Sequence, residues 1–309
     1  DCFEIVDRLV KLERQRKDKN DIYVLRRPLP DKWWIYAEKR PKLYRTIASK
    51  KIILIGARVS KYCFFSISKN NVVFSDQIVV IANPYLSFFP LVNCSFQEIW
   101  SWKYCSTMGG STLRYTPSDC FEKFPFPQNK SPEMEAALEE IGEKYHNHRQ
   151  QLMLKMQLGL TKTYNQFHNK QLAVIPDGLP NSDIEKRYGK ETLNLWNHLS
   201  RTANTCSFNE AVEGIFELRR LHKEMDETVL KAYGWTDINL AHDFYEGDYL
   251  PENDRIRYTI SPTARREILK RLRLLNHEIH AQEMEAETQT APTTRQRKGK
   301  KQKGSPTES

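Results

Sequence analysis

Two short stretches hold the side chains best suited to chemistry in this 309-residue chain. Arg58-Val59-Ser60-Lys61 lies between two apolar runs, where a loop can push side chains into a groove. An arginine fork there is the group that meets a guanine edge with two parallel hydrogen bonds. Gly109-Gly110-Ser111-Thr112-Leu113-Arg114-Tyr115-Thr116 offers related chemistry. Its glycines permit close backbone approach, and its hydroxyls and guanidinium suit phosphate oxygens or base edges. Each stretch also has a plainer reading: Arg58 only neutralises a strand edge, and Arg114 pairs with Asp119 or Glu122. The surroundings favour binding. From Lys39 to Ser75 the chain carries Lys39, Arg40, Lys42, Arg45, Lys50, Lys51, Arg58, Lys61 and Lys69 and no Asp or Glu. Such a run is matched to a polyanion. The candidate contacts are therefore Arg40, Lys42, Arg45, Lys50, Lys51, Arg58, Ser60, Lys61, Ser111, Thr112, Arg114 and Thr116.

Bond-making chemistry has weaker footing. Asn83-Pro84-Tyr85 follows a strand and shares three residues with the Asn-Pro-Pro-Tyr loop of amino-methylating DNA methyltransferases. In that loop an amide and a carbonyl hold the exocyclic amine while the ring stacks on a flipped base. One proline is missing here, and no Gly-x-Gly turn for a nucleoside cofactor occurs anywhere in the chain. Pro176-Asp177 with Glu185, Lys186 and Arg187 faintly matches the carboxylate pattern of restriction nucleases. The terminal spacing is wrong, and a turn before a helix start at Ser182-Asp183 explains it equally well. His277-x-x-His280 is too ordinary for a metal site, and no nucleophile elbow, phosphate loop or helical zinc motif is present. No catalytic, cofactor or metal residue is expected in this chain. The six cysteines form no Cys-x-x-Cys pair, so reduced and mostly buried thiols are expected.

The elements that must position these groups fall into two kinds. Up to residue 127, apolar runs at Lys51–Ile55, Tyr62–Ile67, Asn71–Phe74 and Gln77–Ile81 read as strands, with Ser68–Asn71 as a hairpin turn. One helix is expected from Ser95 to about Cys105, with Ile99, Trp102 and Met108 on its inner face and Gly109-Gly110 ending it. Tyr115 and Phe124-Pro125-Phe126-Pro127 read as packing. Beyond Pro127 the period changes to that of helices. Ser131-Pro132-Glu133 is a helix start, followed by a stripe of Met134, Leu138, Ile141, Tyr145, His148 and Leu152. The box Ser207–Glu210 opens a helix with Ile215, Leu218, Leu221, Met225 and Val229 inward, running to Gly234. Ser261-Pro262 starts a basic amphipathic helix.

The expected class is α+β: a strand-rich domain over 21–127, a helical domain over 128–290 and a disordered basic tail over 291–309. Residues 1–20, a charged run without an initial methionine, read as a connector from a domain of a larger parent. With 48 Lys and Arg against 39 Asp and Glu the formal charge is +9, concentrated in the 39–75 segment and the tail. No signal peptide is visible and the longest apolar runs are far too short for a bilayer, so a cytoplasmic protein without membrane contact is expected.

WWIYAEKRPKLYRTI (33–47), ARVSKYCFFSI (57–67), VVFSDQIVVIA (72–82), SFQEIWSWKYC, GGSTLRYTPSDCFEKFPFP, LGLTKTYNQFH and ELRRLHKEMDETVLKAYGW together resemble the C-terminal half of large single-chain bacterial enzymes. These are the type IIG and IIL restriction-modification adenine methyltransferases and related phage-defence enzymes. The resemblance runs from about Ile5 to His280. It implies that 21–127 is a target recognition domain that reads double-stranded DNA, braced by the helical remainder. It also implies that S-adenosylmethionine and the catalytic loop belong to an N-terminal methyltransferase domain in cis. Val92-Asn93-Cys94-Ser95 departs from the family pattern, which has a Gln-Ser-Ser-like turn there. A reading of another class is a stand-alone interaction subunit, whose helical half docks a protein and whose basic segment binds DNA without sequence preference.

Overall fold

The computed structural model describes residues 2–110, 112–176, 178–202 and 206–290. The expected tail 291–309 lies outside the described residues. The chain divides into two compact units, Asp1–Lys51 and Ile52–Ser309.

In the first unit, α1 (Cys2–Val6), a π-helical stretch (Asp7–Lys11) and α2 (Leu12–Arg14) run on as one helical segment. Lys17 and Tyr23 then bridge antiparallel, closed by Asp18, whose carboxylate accepts from the Asn20 and Ile22 amides. Arg14 donates to the carbonyls of Trp33 and Ile35, which ties the helix to the turns that follow. The buried residues are few: Leu29, Pro30, Trp33 and Ile47. The unit closes with α3 (Pro41–Ile47), preceded by Arg40 in the left-handed region at φ 45°. Pro41 disfavours the right-handed helical conformation for the residue before it, which fits a boundary at Arg40.

In the second unit, β1 (Ile53–Ala57) is the centre of an antiparallel sheet ordered β3-β1-β4, with β3 at Phe65–Ser68 and β4 at Ile78–Ile81. Asn71–Phe74 is not a strand, and the expected hairpin at Ser68–Asn71 does not form. Both outer strands pair with β1 instead, and Val72 and Val73 are left exposed. The second sheet is ordered β2-β6-β5, from Val59–Ser60, Thr112–Arg114 and Ser106–Met108. Between the sheets, α4 (Phe88–Asn93) and α5 (Ser95–Tyr104) are almost wholly buried, including Ile99 and Trp102. Met108 is not on the inner face of α5. It lies on β5, 52% exposed, and the left-handed Gly109 and Gly110 turn a hairpin rather than end a helix.

The helical part follows the apolar spacing closely. α6 (Pro132–Met156) starts at Ser131, whose side chain accepts from the Met134 amide. It buries Leu138, Ile141, Tyr145 and Leu152, while His148 bonds the Gly214 carbonyl at 2.8 Å as a packed polar residue. A Cβ on Gly142 would come to 3.0 Å from the Leu86 carbonyl and the Pro90 ring, a tighter approach than most side chains make, so the glycine eases the close packing of α6 on α4. α7 (Leu160–Phe167) and α8 (Asn181–Arg201) follow. α9 (Phe208–Ala232) carries both hydrogen bonds of the Ser207–Glu210 capping box and buries every expected inward residue. A hairpin of β7 (Asp243–Glu246) and β8 (Ile256–Thr259) leads into α10 (Pro262–Thr290). One core cluster contains Leu54 and Phe65 from the sheet together with Tyr145, Tyr164 and Ile215 from the helices. The change of period at Pro127 is therefore a change of element type inside a shared core. The class is α+β, as expected.

Cys105, at the end of α5, and Cys120, in the segment after β6, lie side by side with Cα atoms 5.7 Å apart. Cys63 and Cys94 are free and buried, and burial pushes the Cys63 thiol up to about 12.

Candidate nucleic-acid interface

The two stretches singled out from the sequence meet in one sheet. Val59 of β2 pairs with Arg114 of β6, and Ser60 pairs with Leu113. The ladder extends to Arg58, whose carbonyl accepts from the Tyr115 amide at 2.8 Å. On the other side of β6, Ser106, Thr107 and Met108 of β5 pair with Arg114, Leu113 and Thr112. Leu113 and Tyr115 are buried, and the Tyr115 hydroxyl accepts from Gln97, so alternate residues of β6 anchor the ladder inward. Arg114 between them is exposed, as are all of β5 and both hairpin glycines. The sheet thus offers an exposed ribbon held by a buried face.

The plainer reading of Arg114 is removed by its neighbours. Asp119 pairs with Lys123 at 3.3 Å, and Arg114 has no ion pair among the described residues. Among the described residues the Arg58 side chain reaches only the Asp76 carbonyl, at a long 3.5 Å. Ser60 is half-buried and its hydroxyl accepts from the Tyr62 amide. Thr112 is half-buried on β6, and Thr116 supplies its carbonyl to the amides of Asp119 and Cys120. Ser111 lies outside the described residues. Lys61 is committed inward: its ammonium sits 3.0 Å from Asp254 and donates to Asn165.

Arg40, Lys42, Arg45, Lys50 and Lys51 belong to the first unit, on and around α3. Lys42, Arg45 and Lys51 are exposed, Arg40 and Lys50 half-buried. Arg45 turns back to the Pro41 carbonyl. None of the five has an acidic partner among the described residues, whereas Arg26, Arg27 and Lys17 of the same unit each face a carboxylate.

The catalytic candidates separate cleanly from this surface. Asn83 spends its side-chain oxygen on the Tyr85 amide, an ordinary turn, and Tyr85 is exposed. Asp177 lies outside the described residues, and Glu185, Lys186 and Arg187 are exposed on α8. His277 and His280 are exposed on α10, and the described residues contain no cluster of three or more metal-ligating side chains.

Pattern reading missed a buried cluster of Ser95, His222, Asp226 and His242. Ser95 donates its hydroxyl to Asp226 at 2.6 Å and its amide to the same carboxylate at 2.8 Å. His242 stands 2.8 Å from Asp226 and His222 3.1 Å from the Ser95 oxygen. Burial alone would raise Asp226, but the two histidines and Ser95 outweigh it and hold the carboxyl below its usual range. The residue types are those of a nucleophilic triad, yet the serine bonds the carboxylate directly and all of these side chains are sealed from solvent. The cluster pins the start of α5 to α9, and it explains why Val92–Ser95 is buried rather than a groove loop.

No protein-family model matches the chain, and no curated protein matches it. Among solved structures the chain is similar to the Type IIL restriction-modification enzyme MmeI in complex with DNA, at 16% identity and a TM-score of 0.37, over 61% of this chain. It spans 19% of that protein's length. At that TM-score the two backbones share too little of a common path to define a fold. No helix among the described residues is long and apolar enough to cross a membrane.

Proposed function

We propose that this chain is the sequence-specific DNA recognition portion of an adenine-specific (N6) DNA methyltransferase of a restriction-modification or phage-defence system. The observation that carries this reading is the state of its cations. Arg114 stands exposed on a glycine-turned ribbon without an acidic partner, and Arg40, Lys42, Arg45, Lys50 and Lys51 are equally unpaired among the described residues. Unpaired surface cations beside hydroxyls suit phosphate and base-edge contacts. In this reading Arg58 and Arg114 contact bases, Ser60, Thr112 and Thr116 line the same ribbon, Ser111 is a further proposed contact, and the cations around α3 neutralise phosphates. Lys61 makes no such contact in this reading, because Asp254 already holds its charge. The sequence resemblance supplies the rest: S-adenosylmethionine and methyl transfer reside in a methyltransferase domain in cis.

The stand-alone interaction subunit would dock a protein through its helical half, where Leu154 and Leu274 are exposed large apolar side chains. Binding to a randomised duplex library separates the two readings. Site-specific enrichment by the chain is expected, and uniform weak binding to all sequences would favour the interaction subunit.

A further inference from the structure

A cavity of about 600 Å³ lies where the last turn of α5 meets the first turns of α10. Its wall carries Lys103, Arg265 and Arg266, the ring of Tyr249, and the carboxylates Glu246 and Asp248. Arg265 is the unusual member. It is 6% exposed, its guanidinium lies 4.8 Å over the Tyr249 ring, and its Nε and Nη2 groups have no hydrogen-bond partner. A buried guanidinium normally has its N–H groups satisfied, because each donor left bare in a low-dielectric site costs more than the bond would return. Lys103 and Arg266 are exposed and unpaired among the described residues. Glu98, a buried carboxylate that feels Arg265, is itself raised, first by burial, and the fields of Arg257 and Arg265 only partly offset this.

The second observation is the helix end. Pro262 opens α10 and lines the same cavity, and Ser261 caps the Ala264 amide from outside the helix. The 29-residue helix thus points its positive end at the space that Arg265 faces. Three cations, orphaned donors and a helix N-terminus converge on one volume, which is the arrangement that receives an oxyanion with acceptors on several sides. We infer that this cavity binds a phosphate group, held by Arg265 from below and by Lys103 and Arg266 at the mouth. Glu246 and Asp248 limit what enters: a compact terminal phosphate fits, while an extended polyanion meets two carboxylates. This site is separate from the β2-β6-β5 ribbon and does not rest on the DNA reading.

The test is calorimetric titration of the full chain with inorganic pyrophosphate in a chloride-poor buffer. Saturable binding is expected, with affinity reduced at least about tenfold in Lys103→Gln/Arg266→Gln, a loss of about 1.4 kcal/mol. Arg265→Gln should abolish it, and the exposed pair keeps the test decisive if that buried variant does not fold. Lys270→Gln, outside the cavity on the same helix, should bind as the parent does. A duplex competition arm identifies the source. Pyrophosphate that binds without displacing bound duplex assigns a free phosphate ester, the expected result, and pyrophosphate that displaces duplex would overturn the exclusion of extended polyanions by Glu246 and Asp248. Absence of saturable binding, or equal binding by the Lys103→Gln/Arg266→Gln variant, would overturn the proposal and leave water as the partner of Arg265.

Discussion

The cations of the 39–51 segment and those of the helical body are the same residue types put to opposite uses. Lys42, Arg45 and Lys51 are exposed and face no acid among the described residues. Arg149 and Arg219, by contrast, are buried and bonded. Arg219 donates to the carbonyls of Phe167, Gln166 and Asn169, closing the C-terminal end of α7. Arg149 donates to the Phe65 carbonyl and the Tyr164 hydroxyl, tying β3 to the helices. Burial lowers Arg219 to about 10, still charged at neutral pH. The lesson is that a positive charge count says little until each cation's partners are known. The body's arginines serve as backbone clamps, and the unpaired ones remain available to a ligand.

The comparison breaks first at the clamps. Arg219→Met leaves three carbonyls at a helix end without their donor, and should destabilise the fold by about 3 kcal/mol or more. Urea denaturation measures this, and a loss below about 1 kcal/mol would mean water replaces the clamp. Acid comes next. Burial, with help from Arg257, holds His168 well below 6.5, and burial also lowers His222. In the unfolded chain both take up a proton near 6.5, while the folded chain does not, so the unfolded state gains protons as pH falls. Stability is then full above pH 6.5 and declines below it, by up to about 1.4 kcal/mol per pH unit for each histidine. Melting curves from pH 7.5 to 5 check the slope, which His168→Gln should reduce.

Smaller effects belong to the unpaired cations. Lys42→Gln, Lys50→Gln and Lys51→Gln should each leave the melting temperature unchanged and lower the salt slope of DNA binding by about one unit. A shifted melting temperature would place that lysine among the clamps. The chain should also give no saturable micromolar heat with S-adenosylmethionine, since Asn83-Pro84-Tyr85 is an incomplete loop and no Gly-x-Gly turn is present. Measured binding would assign the cofactor to this chain rather than to a domain in cis.

Much of this was legible from residue spacing. The starts at Ser131, Ser207 and Ser261 and the buried stripes of α6 and α9 follow from capping chemistry and a 3.6-residue period, both local rules. The strand partners were not. Asn71–Phe74 has strand-like residues, but β1 has two edges and takes β3 and β4, leaving that run unpaired. The Gly109-Gly110 pair carries φ values of 60° and 71°, which suit a helix end or a hairpin equally, and only the pairing of Met108 with Thr112 decides between them. The meeting of Arg58 with the Arg114 strand, the Cys105–Cys120 contact and the Ser95–Asp226 tie join residues 15 to 131 positions apart. No local pattern encodes such contacts.

The central claim is that Arg58 and Arg114 read bases while the cations around α3 hold phosphates. The most direct measurement is binding of the Arg58→Ala/Arg114→Ala variant across a randomised duplex library at several salt concentrations, beside the parent chain. Each lost bidentate contact should cost about 1 to 3 kcal/mol on the preferred site alone. Binding to unrelated sequences should stay nearly unchanged, so the preference for the site collapses. If the variant keeps both the preferred site and its margin over other sequences, the ribbon is not the reader and the account is wrong.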